Sequence, residues 1–460
     1  MSLVQSRKKT PVVLLVSLLF ITSITQANST SLSLNKAISI AQHNDLWLVE
    51  SYFKQKSAES LSVAVGTLPD PKISVTFANL PTDTFDFDQE PMTQFKVGVS
   101  QMFPRGDTLA IKREQLETQS DVFPFQRLNR SEQVKVTVTH LWLDAFKAQM
   151  SIALIEKDRE LFEQLADVAQ ASYATALGRT KQQDIIRAQL ELTRLEDRLA
   201  MLQQMQDTSI QKLSQWLNDY FLVDYSQLDV VTGINDSNNI QLDSELPNIP
   251  LGNLFLYDSA TDILDSDLFQ YLSHHPSVIA IKQKIAVSDS GIKLAKQKYK
   301  PAWSINASYG YRDENPLGMN RADFLSVGIS FDVPLFTKNR QDKQLQSAVA
   351  MFDAAQTQEW ALLRKMLAAF KTNKAKLLRL DQRQALYQNK LLPQIHQQAQ
   401  ASLNAYTNDT GDFAEVVRSR IAELNAQIDA LGISVDRQKT IAQLNYFFLR
   451  SMAREGNLNE

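Results

Sequence analysis

The sequence predicts a mixed α and β chain, in which long antiparallel α-helical coiled coil is joined to a transmembrane β-barrel fed by four strands per chain. Three observations predict it. First, Phe95-Lys-Val-Gly-Val-Ser100, followed by Pro104, recurs as Leu325-Ser-Val-Gly-Ile-Ser330, followed by Pro334. Each copy alternates strictly, with Phe95, Val97 and Val99 on one face and Lys96, Gly98 and Ser100 on the other. The second copy sets Leu325, Val327, Ile329, Phe331 and Val333 against Ser326, Gly328, Ser330 and Asp332. An apolar face and a small polar face at period two suit a strand with lipid on one side and water on the other. Second, Leu192, Leu195, Leu199 and Leu202 keep the 3-4-3 spacing of a coiled-coil seam, as do Ile421, Leu424, Ile428, Leu431 and Val435. Third, Pro104 to Pro334 is 230 residues and Leu192 to Ile421 is 229, so strands and helices share one offset. That is the mark of a duplicated unit.

Residues 1–27 read as a secretory signal peptide. Arg7, Lys8 and Lys9 are its basic end, Pro11 to Ile24 its apolar run, and Thr25-Gln26-Ala27 its small-residue cleavage site. No later stretch approaches the ~20 apolar residues of a transmembrane helix, so any bilayer crossing falls to strands. Loss of Arg7, Lys8 and Lys9 with the signal takes the net charge from −3 to −6. No basic cluster interleaved with aromatics appears, which excludes nucleic acid as a partner. With no cysteine, the fold depends on packing alone, and the lipid-bearing cysteine of a lipoprotein is excluded.

The first unit spans 28–217 and the second 266–450, with a polar linker at 218–265 and a tail at 451–460. Each unit opens with a helix, roughly Leu34 to Val65 and Asp267 to Lys298. A strand follows at about 72–80 or 302–312, then a turn-rich loop (Pro81 to Pro91; Asp313 to Arg321) and a returning strand at about 94–103 or 324–336. After Pro104 or Pro334 come about 70 residues of helical character, enough to reach ~100 Å at 1.5 Å per residue. Pro124 predicts a kink in the first of these. Each long helix stops at a Gly-bearing turn, at Gly178 or Gly411, and a shorter helix returns. Pro247 and Pro250 mark the linker, which is expected to pack outside the helices.

Four strands cannot close a barrel, and an open sheet edge in lipid leaves backbone groups unpaired at several kcal/mol each. Closure calls for further copies of the chain. Two copies give eight strands and a filled interior; three give twelve and room for a water-filled lumen. The spacing alone leaves both open.

In these features the chain resembles the TolC-type outer-membrane factors. The resemblance covers the duplicated units, the signal peptide and the Tyr-x(4)-Gly pattern near each helical tip, from Tyr173 to Gly178 and from Tyr406 to Gly411. Leu68-Pro-Asp-Pro-Lys72, Asn79-Leu-Pro-Thr-Asp83, Gln89-Glu-Pro-Met-Thr93 and Gln101-Met-Phe-Pro104 look most like the heavy-metal (Cus/Czc-like) branch. The resemblance implies a homotrimer with a twelve-stranded barrel in the Gram-negative outer membrane and a helical tunnel through the periplasm. It implies a periplasmic adaptor and an inner-membrane RND pump as partners, outer-membrane lipid around the barrel, and no cofactor. Lipidation, found in many members, is excluded here by the lack of cysteine.

Tunnels of this family narrow at the helical tip through rings of carboxylates. The matching positions are Asp409, Asp412 and Glu415 in the second unit and Asp184 in the first. Arg418 and Arg187 stand where further ring carboxylates are expected, so these charges also read as solvated groups beside a turn. Leu177, Gly178, Arg179, Thr180 and Gly411 are the tip candidates for adaptor contact, although Gly178 and Gly411 read first as helix stops. Val97, Val99, Val327 and Ile329 are expected to face lipid. Asp83, Asp86, Asp88 and Glu90 carry oxygen ligands for a hard cation but read more simply as a hydrated loop. His274 and His275, with no other histidine or cysteine nearby, do not suggest a soft-metal site. No nucleophile elbow, phosphate loop or zinc-helix motif is present, so no enzyme is expected. The expected function is a passive exit duct, for metal cations or else for drugs, dyes or peptides. A periplasmic coiled-coil adaptor is the alternative of another class, and it leaves the four alternating strands unexplained.

Overall fold

The computed structural model describes residues 31–174, 182–217, 240–252, 265–408 and 410–449. The predicted signal peptide, the C-terminal tail and most of the linker lie outside the described residues.

The opening helix of each unit is two helices, not one. Ser33 caps α1 (Leu34–His43), and Asp45 caps α2 (Leu46–Val65) by accepting from the Trp47 amide at 3.1 Å. A side-chain acceptor of this kind competes with the helical carbonyl and ends the run. Asp45 is buried and also accepts from Arg130 Nε at 2.7 Å, while the Arg130 guanidinium lies over the Trp47 and Trp216 rings. In the second unit α6 (Asp265–Leu272) is followed by α7 (Pro276–Gln297). His275 caps α7 and Pro276 opens it, where its missing N–H costs nothing.

β1 (Lys72–Ala78), β2 (Gln94–Phe103), β3 (Ala302–Tyr311) and β4 (Phe324–Asp332) form one antiparallel sheet in that order. The two units meet in its middle, where Phe95 lies opposite Tyr311 and Phe103 opposite Trp303. β1 ends before Asn79, whose φ of 57° turns the chain, and β4 ends before Pro334, which cannot donate to a ladder. At Gly106 (φ 48°) the chain leaves β2 for α3 (Thr108–Ser120). A Cβ there would meet the Gln297 side-chain oxygen and Lys300.

α4 (Val122–Ala174) runs antiparallel to α5 (Gln182–Leu217), and α8 (Gln341–Leu386) leads through a π turn at Tyr387–Leu391 into α9 (Leu392–Thr407), with α10 (Phe413–Phe447) returning. The predicted kink near Pro124 is a break at Asp121, which puts Pro124 in the first turn of α4. The π turn was not expected. Pro393 cannot bond the Asn389 carbonyl and its ring crowds it, and a widened turn relieves both. The heptad positions Leu195, Leu199, Leu202, Leu424 and Ile428 are buried together with Ile155 and Phe162. A second core packs the stacked rings of Trp142 and Phe146 against α1 and the linker residues Ile240 and Leu242. The stretch 240–252 is tied down by backbone as well. Leu32 donates to the Gln241 carbonyl at 2.7 Å, and the Ile249 and Gly252 amides donate to Gln438 and Asn445 of α10.

Candidate functional site

Register gives the sheet its two faces. Ile73 pairs with Val99, Val75 with Val97 and Phe77 with Phe95; across the other ladders Val97 faces Tyr309, Ala307 faces Val327 and Ile305 faces Ile329. All of these side chains share one face, because antiparallel partners point the same way. That face is open: Val327 is 71% exposed, Ile329 60%, and Val97 and Val99 more than 40%. An apolar patch running over four strands is far larger than the surface of a soluble monomer tolerates. The opposite face is polar and bonded within itself. Ser100 Oγ donates to Asn306 Oδ1 at 2.6 Å, and Asn306 Nδ2 donates to Ser330 Oγ at 3.1 Å. Aromatic rings cluster at both ends of the apolar face, with Phe103 on Trp303 at 4.1 Å and Phe77 against Phe95 at 5.1 Å. Among the described residues, the outer edges of β1 and β4 carry no strand partner.

The opposite end of the molecule is the helical tip. Gly411 folds back onto α9: its amide donates to the Ala405 carbonyl at 2.9 Å, and a Cβ would come within 2.8 Å of the Tyr406 amide nitrogen. This is a position only glycine fills. Asp412 caps α10 by accepting from the Ala414 amide at 3.2 Å, and Tyr406 meets Phe413 edge to face. Glu415 accepts from Arg418 at 2.5 Å, so its charge is matched within its own helix turn. Asp184 lies in the first turn of α5 and is 4% exposed. Asp409, Leu177, Gly178, Arg179 and Thr180 lie outside the described residues.

Other candidates resolve as structural groups. His275 is buried; Nδ1 accepts from the Ser277 amide, and Nε2 lies 3.0 Å from the Tyr446 carbonyl. Burial pushes its pKa down to about 4. Asp83 accepts from Thr84 and Gln89 within its own loop, and that loop is tied to the loop that joins β3 to β4 by Arg312 and Arg321, which donate to the Pro91 and Glu90 carbonyls at 3.1 Å. Among the described residues no group of three or more His, Cys, Asp or Glu is placed to hold a metal ion. No described helix is long and apolar enough to cross a membrane.

The sequence reading missed a charged cluster in the coiled coil. His396 Nδ1 meets Glu423 at 2.6 Å and Arg420 donates to the same carboxylate at 2.9 Å. Nearby, Asp158 has its pKa raised by burial and then by Glu423. Arg420 and Glu423 are an i,i+3 pair within α10, but His396 and Asp158 come from two other helices, and no spacing along one segment announces their meeting.

No family model matches the sequence, and no curated protein matches it. The fold does match solved structures. The outer-membrane channel OprN superposes with a TM-score of 0.70 at 14% identity, over 90% of this chain and 89% of that one. The outer-membrane protein VceC of Vibrio cholerae gives 0.70 at 13%, over 90% and 96%. CusC, solved in conformations that accompany transmembrane channel formation, gives 0.69 at 14%, over 90% and 91%. The chain has the fold of outer-membrane channels. The three similarities are equal within a hundredth, so the fold does not distinguish CusC from the others.

Proposed function

We propose that this chain is a TolC-type outer-membrane factor, a passive exit duct of a tripartite efflux system. One observation carries the reading: a four-stranded sheet with one continuous exposed apolar face, a polar inner face and two unpaired edges, rooted in helices longer than any globular domain needs. Such a sheet is stable in lipid only as part of a closed barrel. Three copies joining β1 to β4 make twelve strands around a water-filled lumen. Val97, Val99, Val327 and Ile329 then face lipid, and Lys96, Ser100 and Asn306 face the lumen.

In this reading the helices continue the lumen into the periplasm. The tips, with Leu177, Gly178, Arg179, Thr180 and Gly411, meet a periplasmic adaptor, and Asp184, Asp409, Asp412 and Glu415 set the narrowest point. An inner-membrane RND pump supplies the energy, and the chain catalyses no reaction. Heavy-metal cations are the proposed cargo, on the strength of the resemblance of the strand and loop segments between Leu68 and Pro104. The deciding experiment is growth of a deletion strain, with and without the gene restored, on copper, silver, zinc, cobalt and cadmium and on dyes and detergents. Sensitivity confined to metals supports the whole reading. Sensitivity to dyes and detergents alone keeps the duct and removes the metal cargo, and no restorable sensitivity removes the duct.

A further inference from the structure

A cleft of about 680 Å³ lies between α1, α4, α10 and the linker stretch 243–250. Its walls are apolar, formed by Leu34 and Ile38 of α1, Val136 of α4, and Leu246 and Ile249 of the linker. Trp142 lines it as well, with its indole fixed by a bond from Nε1 to the Leu32 carbonyl at 2.9 Å. The Ile249 and Gly252 amides hold the linker wall to α10, so the space is preformed. Three carboxylates stand around it, Glu132, Asp243 and Glu245, against one lysine, Lys135. Lys135 pairs with Glu132 at 3.5 Å, and Asp243 accepts from the Ser31 hydroxyl. Glu245 is exposed and has no side-chain partner among the described residues.

A hydroxyl inside the cleft narrows what fits. Threonines within these helices turn the hydroxyl back to the carbonyl four residues earlier, as Thr118, Thr137, Thr193 and Thr372 do. Thr139 does not. It lines the cleft, is 2% exposed, and its hydroxyl has no hydrogen-bond partner among the described residues. Nor is that oxygen sealed inside the protein, as the orphan hydroxyls of Ser51 and Ser151 are, so it opens on the cleft. A buried hydroxyl left without a partner is unfavourable. Water would satisfy the hydroxyl, but neither the apolar walls nor the surplus of carboxylates. A small organic cation with an apolar body and a hydroxyl at its far end satisfies all three.

We infer that this cleft binds a small organic cation of the phenolic-amine kind, its hydroxyl on Thr139, its ring between Ile38, Leu246 and Ile249, and its ammonium at Glu245 and Asp243. All of these residues belong to one copy of the chain. The site therefore stands whether or not the chain is a duct, and it is independent of any cargo a pump delivers.

The test is isothermal titration calorimetry of the detergent-solubilised full chain with tyramine, at neutral pH and fixed ionic strength. Two analogues each remove one end of the probe. Phenethylamine lacks the hydroxyl, and hydroxyphenylpropionate carries a carboxylate in place of the ammonium. Tyramine is expected to bind about tenfold tighter than phenethylamine, and hydroxyphenylpropionate not to bind. Thr139→Val, close in shape, should make the two amines equal. Glu245→Lys, at an exposed position, should weaken both about tenfold. Unchanged helical content by circular dichroism separates a lost contact from a folding defect, and if Thr139→Val does not fold, Glu245→Lys decides. Absence of tyramine binding, equal binding of tyramine and hydroxyphenylpropionate, or tyramine affinity unchanged in Glu245→Lys overturns the site. Equal affinity of the two amines for the unaltered chain overturns the role of Thr139 and, with it, the proposed ligand class. Single-channel recording tests the duct separately, and its failure leaves the calorimetry to stand.

Discussion

At the residue scale, the tip shows how one side chain can be read in two ways. Asp412 entered as a pore carboxylate, and its observed contact is the cap of α10. An Asp-to-Ala change at a helix cap costs about 1 kcal/mol, whereas Asn caps as well as Asp. Asp412→Ala is therefore expected to lower the thermal midpoint of the detergent-solubilised protein and Asp412→Asn to leave it unchanged, as followed by circular dichroism. His275 makes a second residue-scale prediction. Its pKa falls from 6.5 to about 4 in the folded chain, so the unfolded chain binds the extra proton between those values. Stability from the neutral ring is complete above about pH 6.5 and is lost as pH falls towards about 4, a loss of roughly 3 kcal/mol. His275→Asn, which can still cap α7, should flatten that part of the pH profile of the melting midpoint. An unchanged slope would assign the acid sensitivity to other groups.

At the scale of the element, the sheet is where a small change has a large effect. A period-two strand has one face for each solvent, so the same substitution is costly on one and tolerated on the other. Val97→Arg or Val327→Arg, on the apolar face, should cost ~2–4 kcal/mol if that face meets the bilayer midplane. Ser100→Arg, on the bonded polar face, should cost less. Assembly yield in outer-membrane fractions measures this, and equal yields would reverse the assignment of faces. Among the helices, the π turn before Pro393 and the breaks at Asp45, Asp121 and His275 each have a local cause: a proline without its N–H, or a side chain capping the next helix.

At the scale of the whole molecule, the proposed duct needs further copies of the chain, because among the described residues the outer edges of β1 and β4 have no strand partner and the apolar face is open. Native mass spectrometry of the detergent-solubilised protein is expected to give a trimer, and a dimer would point to an eight-stranded barrel with a filled interior. The constriction is testable in the same preparation. If Asp412 and Glu415 narrow the pore, Asp412→Asn/Glu415→Gln should raise single-channel conductance and relieve block by cations. No change would leave Asp412 as a helix cap and Glu415 as the partner of Arg418.

The sequence by itself determined the fold class, because alternation and heptad spacing are local patterns that a few residues such as Val97, Val99, Leu195 and Leu199 carry completely. Their repetition at one offset is the ground for reading two equivalent units in the chain. Only the tertiary structure decided which strand pairs with which, because β2 and β3 lie some two hundred residues apart and alternation says nothing of partners. It alone brought His396 of α9 to Glu423 of α10, and set Ile38, Thr139 and Glu245 around one cleft. These groups sit on different elements, and their meeting is fixed by packing rather than by any spacing along the chain.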